Sequence, residues 1–526
     1  MSQIPWWHSA VFYQIFPRSF ADANGDGIGD LTGIISRLDY LVDTMPVDAI
    51  WLSPFYPSPQ ADFGYDVADY CDVDPAYGEL ATFDRLVAEC HARGLRLIVD
   101  WVPNHTSSLH PWFIESVSSR SNVKRDWYVW ADPKEDGTPP NNWISVFGGS
   151  SWEFHPASGQ YYLHSFLVEQ PDLNWRNPKV EEAMFDTLRF WLDRGVDGFR
   201  IDVAHFLMKD PLMRDNPPAR KLYEGHPMDS EYVAFEHVYD KAHADIHPLY
   251  RRLRSVVDEY PDRFTVGEVH EYDWPKWVTY YGADLDEMHM PFNFALLPTG
   301  LDPAALRETI ESVEKYLPSG AWPSWVWGNH DERRMRTRLG DKGSRVAAVL
   351  QLTLRGTPFI YYGDELGMIN DDVGAEARQD PREPQFNRDG NRTPMLWDRS
   401  PNAGFSPATV DRTWLPVSND SSSVAEELGD ADSHLELYRH LLHLRRQEMA
   451  LQTGAFEWLE GFAGDCLGYT RSLPGAKTFA VFMNLGVTPV EVGPFDEVLA
   501  STDRGLEGSK VSLLLSPTEA IVTGIS

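Results

Sequence analysis

The chain has 526 residues, 42% hydrophobic and 24% charged, a globular balance that excludes a disordered or fibrous polymer. Its 79 acidic against 46 basic side chains leave a formal charge of −33, a field that repels nucleic acid and anionic membranes and favours a small neutral substrate. Cys71, Cys90 and Cys466 form neither a disulfide set nor a metal spacing, and no run of 18 apolar residues exists to span a bilayer. With no basic residue before Arg18 an ordinary secretory signal is not expected, so the expected location is the cytoplasm.

In chain order, short apolar runs alternate with helical patterns. Strands are predicted at 11–17, 48–54, 96–102, 198–203, 264–269, near 288–294, 324–329 and 359–363. Helices are predicted at 31–44, 80–94, 179–195, 248–260, 303–317 and 344–354, with a last long one at about 434–449. Alternating βα units imply a parallel sheet, and eight of them close naturally into a (β/α)₈ barrel of the TIM type. Residues 106–176 interrupt the rhythm with short pieces rich in Trp, Gly, Pro and Asn and no clean helix; an interval of that length is a subdomain or a lid. After 449 the pattern becomes strands without helices, at 467–473, 477–485, 511–517 and 519–525. The expected organisation is a barrel over 1–105 and 176–450, an inserted subdomain over 106–175, and a C-terminal antiparallel β-sandwich domain over 451–526.

The ends of the predicted strands carry acids. Asp100 ends the third, Asp202 the fourth, Glu268 the fifth, and His330 with Asp331 the seventh. All belong to the C-terminal rim, where barrel active sites form. Charged residues there are costly unless paired or functional. Glycoside hydrolysis needs such a pair, one carboxylate to attack or to activate water and one acid to protonate the leaving oxygen. Neighbouring strands lie about 4.8 Å apart, so Asp202 and Glu268 can approach the roughly 5–5.5 Å that suits a covalent, retaining route. Arg200, two residues before Asp202, leaves the strand on the same side and is expected to keep Asp202 ionised. Glu268 must stay protonated to donate, so nearby carboxylates are expected to raise its pKa. Taken singly, His105 and His330 would be structural histidines and Tyr65 a plain wall residue; positions beside Asn104 and Asp331 favour a site for the two histidines.

These segments, 100–105, 198–202, 267–268 and 329–331, together with Gln170-Pro171-Asp172-Leu173-Asn174-Trp175, resemble the blocks of glycoside hydrolase family 13, the α-amylase family, in its α-glucosidase and oligo-1,6-glucosidase branch. The resemblance runs from Ala10 into the C-terminal domain. It implies Asp202 as nucleophile, Glu268 as general acid/base and Asp331 as the carboxylate that binds and distorts the sugar. His105, Arg200 and His330 would contact the glucose. Asp62 and Tyr65 would close the pocket, Arg392 would pair with Asp62, and Phe147 and Phe166 would be aromatic walls. Asp100 would be a structural support. A closing Asp–Arg pair implies a blind pocket and exo action. The implied activity is a retaining α-glucosidase that releases α-glucose from short neutral α-glucosides and needs no organic cofactor. Val203, after the nucleophile, is by resemblance a linkage-selectivity position whose valine accompanies tolerance of α-1,6 bonds. His205 and His270 depart from the branch pattern in the same acceptor region.

Asp22-Ala23-Asn24-Gly25-Asp26-Gly27-Ile28-Gly29-Asp30 has the alternating oxygen donors and sixth-position Gly of a calcium loop. Gly33 stands where an EF-hand has its bidentate Glu, and a strand rather than a helix precedes the motif. The resemblance implies one structural Ca²⁺ held by Asp22, Asn24, Asp26, the Ile28 carbonyl and Asp30, away from the rim. Two rivals share the scaffold. One is a glucosyl-transferring or sucrose-isomerising enzyme. The other is a non-catalytic, transporter-associated relative, which would lack the carboxylates and carry a transmembrane segment.

Overall fold

The computed structural model describes residues 4–219, 231–382, 386–462 and 464–525. Eight parallel strands, β1 (Phe12–Ile15), β2 (Ala49–Leu52), β3 (Arg96–Trp101), β4 (Gly198–Ile201), β5 (Phe264–Gly267), β6 (Met290–Pro291), β7 (Ser324–Val326) and β8 (Thr357–Tyr361), form one sheet in the order β7-β8-β1-β2-β3-β4-β5-β6. The ring closes between β6 and β7 through a side chain, the Ser324 hydroxyl accepting the Asn293 N–H at 3.0 Å. The predicted run at 288–294 narrows to two paired residues, because Pro291 has no N–H to extend a ladder. Phe12, Trp51, Ile98, Phe264, Met290 and Phe359 fill the interior, all buried. The barrel is therefore a packed core with its chemistry confined to the rim.

The surrounding helices start and face as their sequences dictate. Pro178–Asp193 begins with Pro at its first turn behind Asn177, whose side chain caps the Lys179 N–H at 3.0 Å. Val180, Met184, Leu188 and Trp191, spaced by four and three, form its buried stripe. Two predicted helices differ. The segment predicted at 31–44 breaks into an α-helix Leu31–Ser36 and a wider π-helical turn Tyr40–Thr44. The helix predicted at 344–354 reaches back to Met335, across a kink at Gly340, whose φ of 72° only glycine adopts readily.

The interval after β3 is more ordered than its composition suggests. It holds a helix, Pro111–Ser118, capped by His110 on the Trp112 N–H, and a three-stranded antiparallel sheet of Trp130–Ala131, Gln160–Leu163 and Trp152–His155. The C-terminal region contains a five-stranded and a two-stranded antiparallel sheet that enclose Phe482, Val492, Phe495, Val498, Leu515 and Ile521. Three of its strands, Ala455–Leu459, Val490–Phe495 and Glu497–Ser501, were absent from the sequence expectation. Buried Arg471 anchors the unit to the barrel through the carbonyl of Thr353, and holds the entry to the unit through the carbonyl of Gly454. Among the described residues no helix is long and apolar enough to cross a membrane.

Candidate active site

Strand register brings the acids together. Asp100 pairs with Arg200 across β3 and β4, and Ile201 with Gly267 across β4 and β5, so Asp202 and Glu268 leave their strands side by side. Backbone bonds continue the ladder past the strand ends, from Asp202 N–H to Trp101 O (2.8 Å) and from Glu268 N–H to Ile201 O (2.9 Å). Val203 then turns into the left-handed region at φ 35°, ψ 46°. A β-branched residue pays strain there, and such strain persists only where the surroundings impose it. The turn aims the Val203 N–H at Glu268 Oε2, at 2.9 Å.

One guanidinium organises three carboxylates. Arg200 donates from one nitrogen to Asp100 (2.6 Å) and Asp202 (2.7 Å), and from the other to Glu268 Oε2 (2.5 Å). Asp100 also accepts from Trp51 and from Tyr65, each at 3.1 Å. Wholly buried and tied on every side, Asp100 supports Arg200 from below. Burial pushes its carboxyl up to about 6 against the pull of Arg200.

The protonation pattern corrects the expectation for the neighbouring pair. Burial, reinforced by Glu268 and Asp100, pushes Asp202 well above the usual carboxylate range despite Arg200. Burial would also raise Glu268, but the Arg200 guanidinium and donation from His270 Nε2 at 2.9 Å outweigh it and hold its carboxyl well below. The carboxylates that were expected to raise Glu268 are answered by its three donors, whereas Asp202 has one. The donors at the strand ends thus favour the carboxylate form of Glu268 more than that of Asp202.

Asp331 is held well below its ordinary range, burial being outweighed by His330, Arg388 and Arg392. The three contacts measure 3.1, 2.9 and 3.0 Å. Gln14 Nε2 lies 2.8 Å from His330 Nδ1, which leaves Nε2–H for Asp331. Burial lowers His330 to about 3, so the ring is neutral, and it stacks on Tyr65 with centroids 5.1 Å apart and planes 1° from parallel. His105 is likewise lowered by burial and meets the Tyr65 carbonyl at 3.0 Å and Gln170 at 3.1 Å.

The arginine assignment is corrected too. Asp62 pairs with Arg388, at 2.7 Å, and not with Arg392. Arg392 lies fully buried behind the pocket, donating to the His330 carbonyl at 2.7 Å and to Asp331. The two arginines flank the 3₁₀ turn Asp389–Asn391, which aims the first at the rim and the second at the end of β7. Arg388 also binds Asp380 (2.8 Å) and so joins Asp62 and Asp331 into one wall.

A cavity opens above these groups. Of the residues singled out from sequence, Asp62, Tyr65, His105, Phe147, Phe166, Asp202, Val203, His205, Glu268, His270 and Asp331 line it, whereas Arg200, His330 and Arg392 support it from behind. Sequence reasoning missed Arg388, Arg382, Glu332 and Phe206 on the same walls, and gave no role to Gln170 although its block was noted. The Asn387-Arg388-Asp389 string, four residues before Arg392, was the available signal for the first of these.

The Asp22–Asp30 turn lies elsewhere. Asp22 accepts the Gly25 and Gly27 N–H groups (2.7 and 2.8 Å) and the Ser406 hydroxyl. Asn24 and Asp26 each accept the N–H two residues on (2.9 and 2.8 Å). Asp30 accepts from Ala23 and Asn24 and caps the next helix at Gly33 N–H (2.7 Å). Among the described residues no three His, Cys, Asp or Glu side chains converge as a metal-binding set.

Comparison with known proteins agrees with this geometry. The model of the alpha-amylase catalytic domain matches residues 14–454. The chain is 46% identical to a probable alpha-glucosidase of Rhizobium meliloti over 91% of this chain and 89% of the relative. It is 38% identical to an oligo-1,6-glucosidase of Heyndrickxia coagulans over 98% and 99%. Among solved structures, an alpha-glucosyl transfer enzyme superposes with a TM-score of 0.92 at 41% identity, covering 100% of both chains. A trehalulose synthase superposes with a TM-score of 0.88 at 35% identity, covering 99% and 100%.

Proposed function

The chain belongs to the α-amylase family, and on that premise we propose that it is a retaining, exo-acting α-glucosidase cleaving glucose from the non-reducing end of short α-glucosides. The observation that carries the reading is the pair Asp202 and Glu268 on adjacent strand ends, sharing Arg200 beneath a pocket whose wall Arg388 seals between Asp62 and Asp331. In the first step Asp202 attacks the anomeric carbon while Glu268 gives its proton to the departing glycosidic oxygen. In the second, Glu268 takes a proton from water, the hydroxide attacks the same carbon, and the ester bond to Asp202 breaks. Asp202 starts the first step ionised and Glu268 protonated, so the one proton of the pair belongs on Glu268 when the substrate is bound. The chemistry favours that placement, because the glycosidic oxygen offers Glu268 an acceptor and developing positive charge at the anomeric carbon favours ionised Asp202.

The preferred substrates in this reading are maltose-type disaccharides, with isomaltose accepted. Support comes from the relatives named alpha-glucosidase and oligo-1,6-glucosidase and from Val203 lining the pocket. A wall sealed by Arg388 between Asp62 and Asp331 implies a pocket closed behind the terminal sugar, so digestion of a linear maltoheptaose is expected to give glucose and chains shortened one unit at a time. Early release of maltose and maltotriose in a broad ladder would contradict exo action. A second reading, transfer to a sugar hydroxyl in place of water, is favoured by the structural likeness to an alpha-glucosyl transfer enzyme. It differs only in what attacks the covalent intermediate, and product analysis with one disaccharide separates the two. A cytoplasmic location belongs to the proposal, supported by three free thiols.

Structural Ca²⁺ at the Asp22–Asp30 turn is also proposed. Its support is the hard-oxygen donor chemistry and the wrapping made possible by Gly25 and Gly27 at φ 81° and 87°. The bonded oxygens keep lone pairs for a cation beside the backbone bonds. Because an ion bound only to the native state stabilises it by mass action, chelation is expected to lower the melting temperature while initial activity at ambient temperature persists. An unchanged melting curve, with no metal found by elemental analysis, would overturn the site.

A further inference from the structure

The two oxygens of Glu268 have different surroundings. Oε2 is held from beneath by Arg200 at 2.5 Å and from the strained turn by the Val203 N–H at 2.9 Å. Oε1 meets a single side chain, His270, whose Nε2 lies 2.9 Å away. His270 follows Glu268 by two residues, lines the cavity, and is clamped flat on Phe294, with ring centroids 4.6 Å apart and planes 14° from parallel. Its Nδ1 is buried and has no hydrogen-bond partner. A proton there would be a buried unpaired donor, which is costly. The ring therefore carries its proton on Nε2 and donates it to Glu268.

We propose that His270 is a positioning residue that tunes the acid/base balance of Glu268 by donating to the ionised form through Oε1. The inference rests on Glu268 being the general acid/base. His270 keeps its own proton throughout: by stabilising the carboxylate it enlarges the ionised fraction of Glu268 that can take a proton from water, and reduces the protonated fraction that serves the leaving oxygen. The other titratable groups around Glu268 are Arg200, Asp202, Asp331 and His330, with Asp100 beyond Arg200; those facing His270 on its other sides are Glu332 and His205.

The test is the pH profile of kcat/KM on maltose for three variants. His270→Phe keeps the stacking on Phe294 and removes the donor. His270→Asn keeps polarity but is too short to reach Oε1. His270→Gln can restore an N–H at similar reach. Losing a donor to the Glu268 carboxylate makes the Asp202–Glu268 pair hold its one proton more tightly, so the basic limb, which reports loss of that proton, is expected to move to higher pH by roughly one unit in the Phe and Asn variants. It should stay within a few tenths of a unit of wild type in His270→Gln. Melting curves show which variants fold, and either of the first two suffices. A side chain of merely structural importance would lower activity without moving the limb. An unmoved limb in a folded Phe or Asn variant, or a Gln variant that shifts as far as they do, overturns the proposal. Glu268→Gln, run alongside, separates the two claims. If that variant turns over maltose like wild type, the assignment of Glu268 itself fails; if it is inactive and the limb of His270→Phe is unmoved, only the role of His270 fails.

Discussion

Asp202→Asn is expected to lower kcat on maltose by about 10⁴-fold or more, because the amide cannot form the glycosyl ester through which both half-reactions run. The same substitution should leave the fold intact. Asn matches Asp in volume, and Arg200 retains Asp100 and Glu268 as partners, so no buried guanidinium is left uncompensated. Burial pushes the Asp202 carboxyl toward its neutral form, the form that a neutral amide resembles. The measurement is kcat together with the melting temperature. A variant that melts like wild type yet retains more than about one per cent of kcat, far above what loss of a nucleophile allows, would remove Asp202 from the role.

Glu268→Gln is expected to show its effect unevenly across leaving groups. A sugar alkoxide needs a proton to depart, and general acid catalysis is worth about 10²–10⁴-fold, so maltose turnover should fall by that order. A nitrophenolate leaves without protonation, so the glycosylation step on an activated aryl α-glucoside should be far less affected. The amide can still accept from Arg200 and the Val203 N–H, the two donors that fix the side chain from below, so its orientation should survive. Pre-steady-state release of nitrophenol isolates the glycosylation step from the second, base-assisted one. Equal slowing of that step for both kinds of substrate would argue that Glu268 does not act as the acid.

The barrel was legible because strands buried on both faces read as continuous apolar runs. Runs such as Phe12–Ile15 and Gly198–Ile201 kept their places, with ends trimmed by one to a few residues. The helix Pro111–Ser118 was not legible, since eight residues starting with Pro carry too short a period to stand out from a loop. The missed strand Ala455–Leu459 leaves most of its side chains partly or fully exposed, and Val490–Phe495 contains Gly493 and Pro494, so neither shows the apolar run that marked the barrel strands.

In the site, the acids could be placed because each ends an apolar strand, a pattern local to a few residues. Which arginine reaches Asp62 depends on a 3₁₀ turn that spacing does not encode, and Arg388 was passed over for Arg392. The protonation of Glu268 was misjudged for a related reason. Its neighbouring carboxylates were visible in sequence, but the Val203 N–H and His270 Nε2 became donors to it only through a left-handed turn and a ring stacked on Phe294. Charges on strands can be counted from the sequence, whereas hydrogen bonds at strand ends come from the fold.

The central claim is a double displacement through Asp202 and Glu268, and stereochemistry tests it most directly. In proton NMR of the first minutes of hydrolysis of an aryl α-glucoside, which releases one glucose per turnover, two inversions must give α-glucose as the first product, with the β anomer growing in only at the rate of mutarotation. β-Glucose as the initial product would mean a single displacement by water and would contradict the covalent role of Asp202.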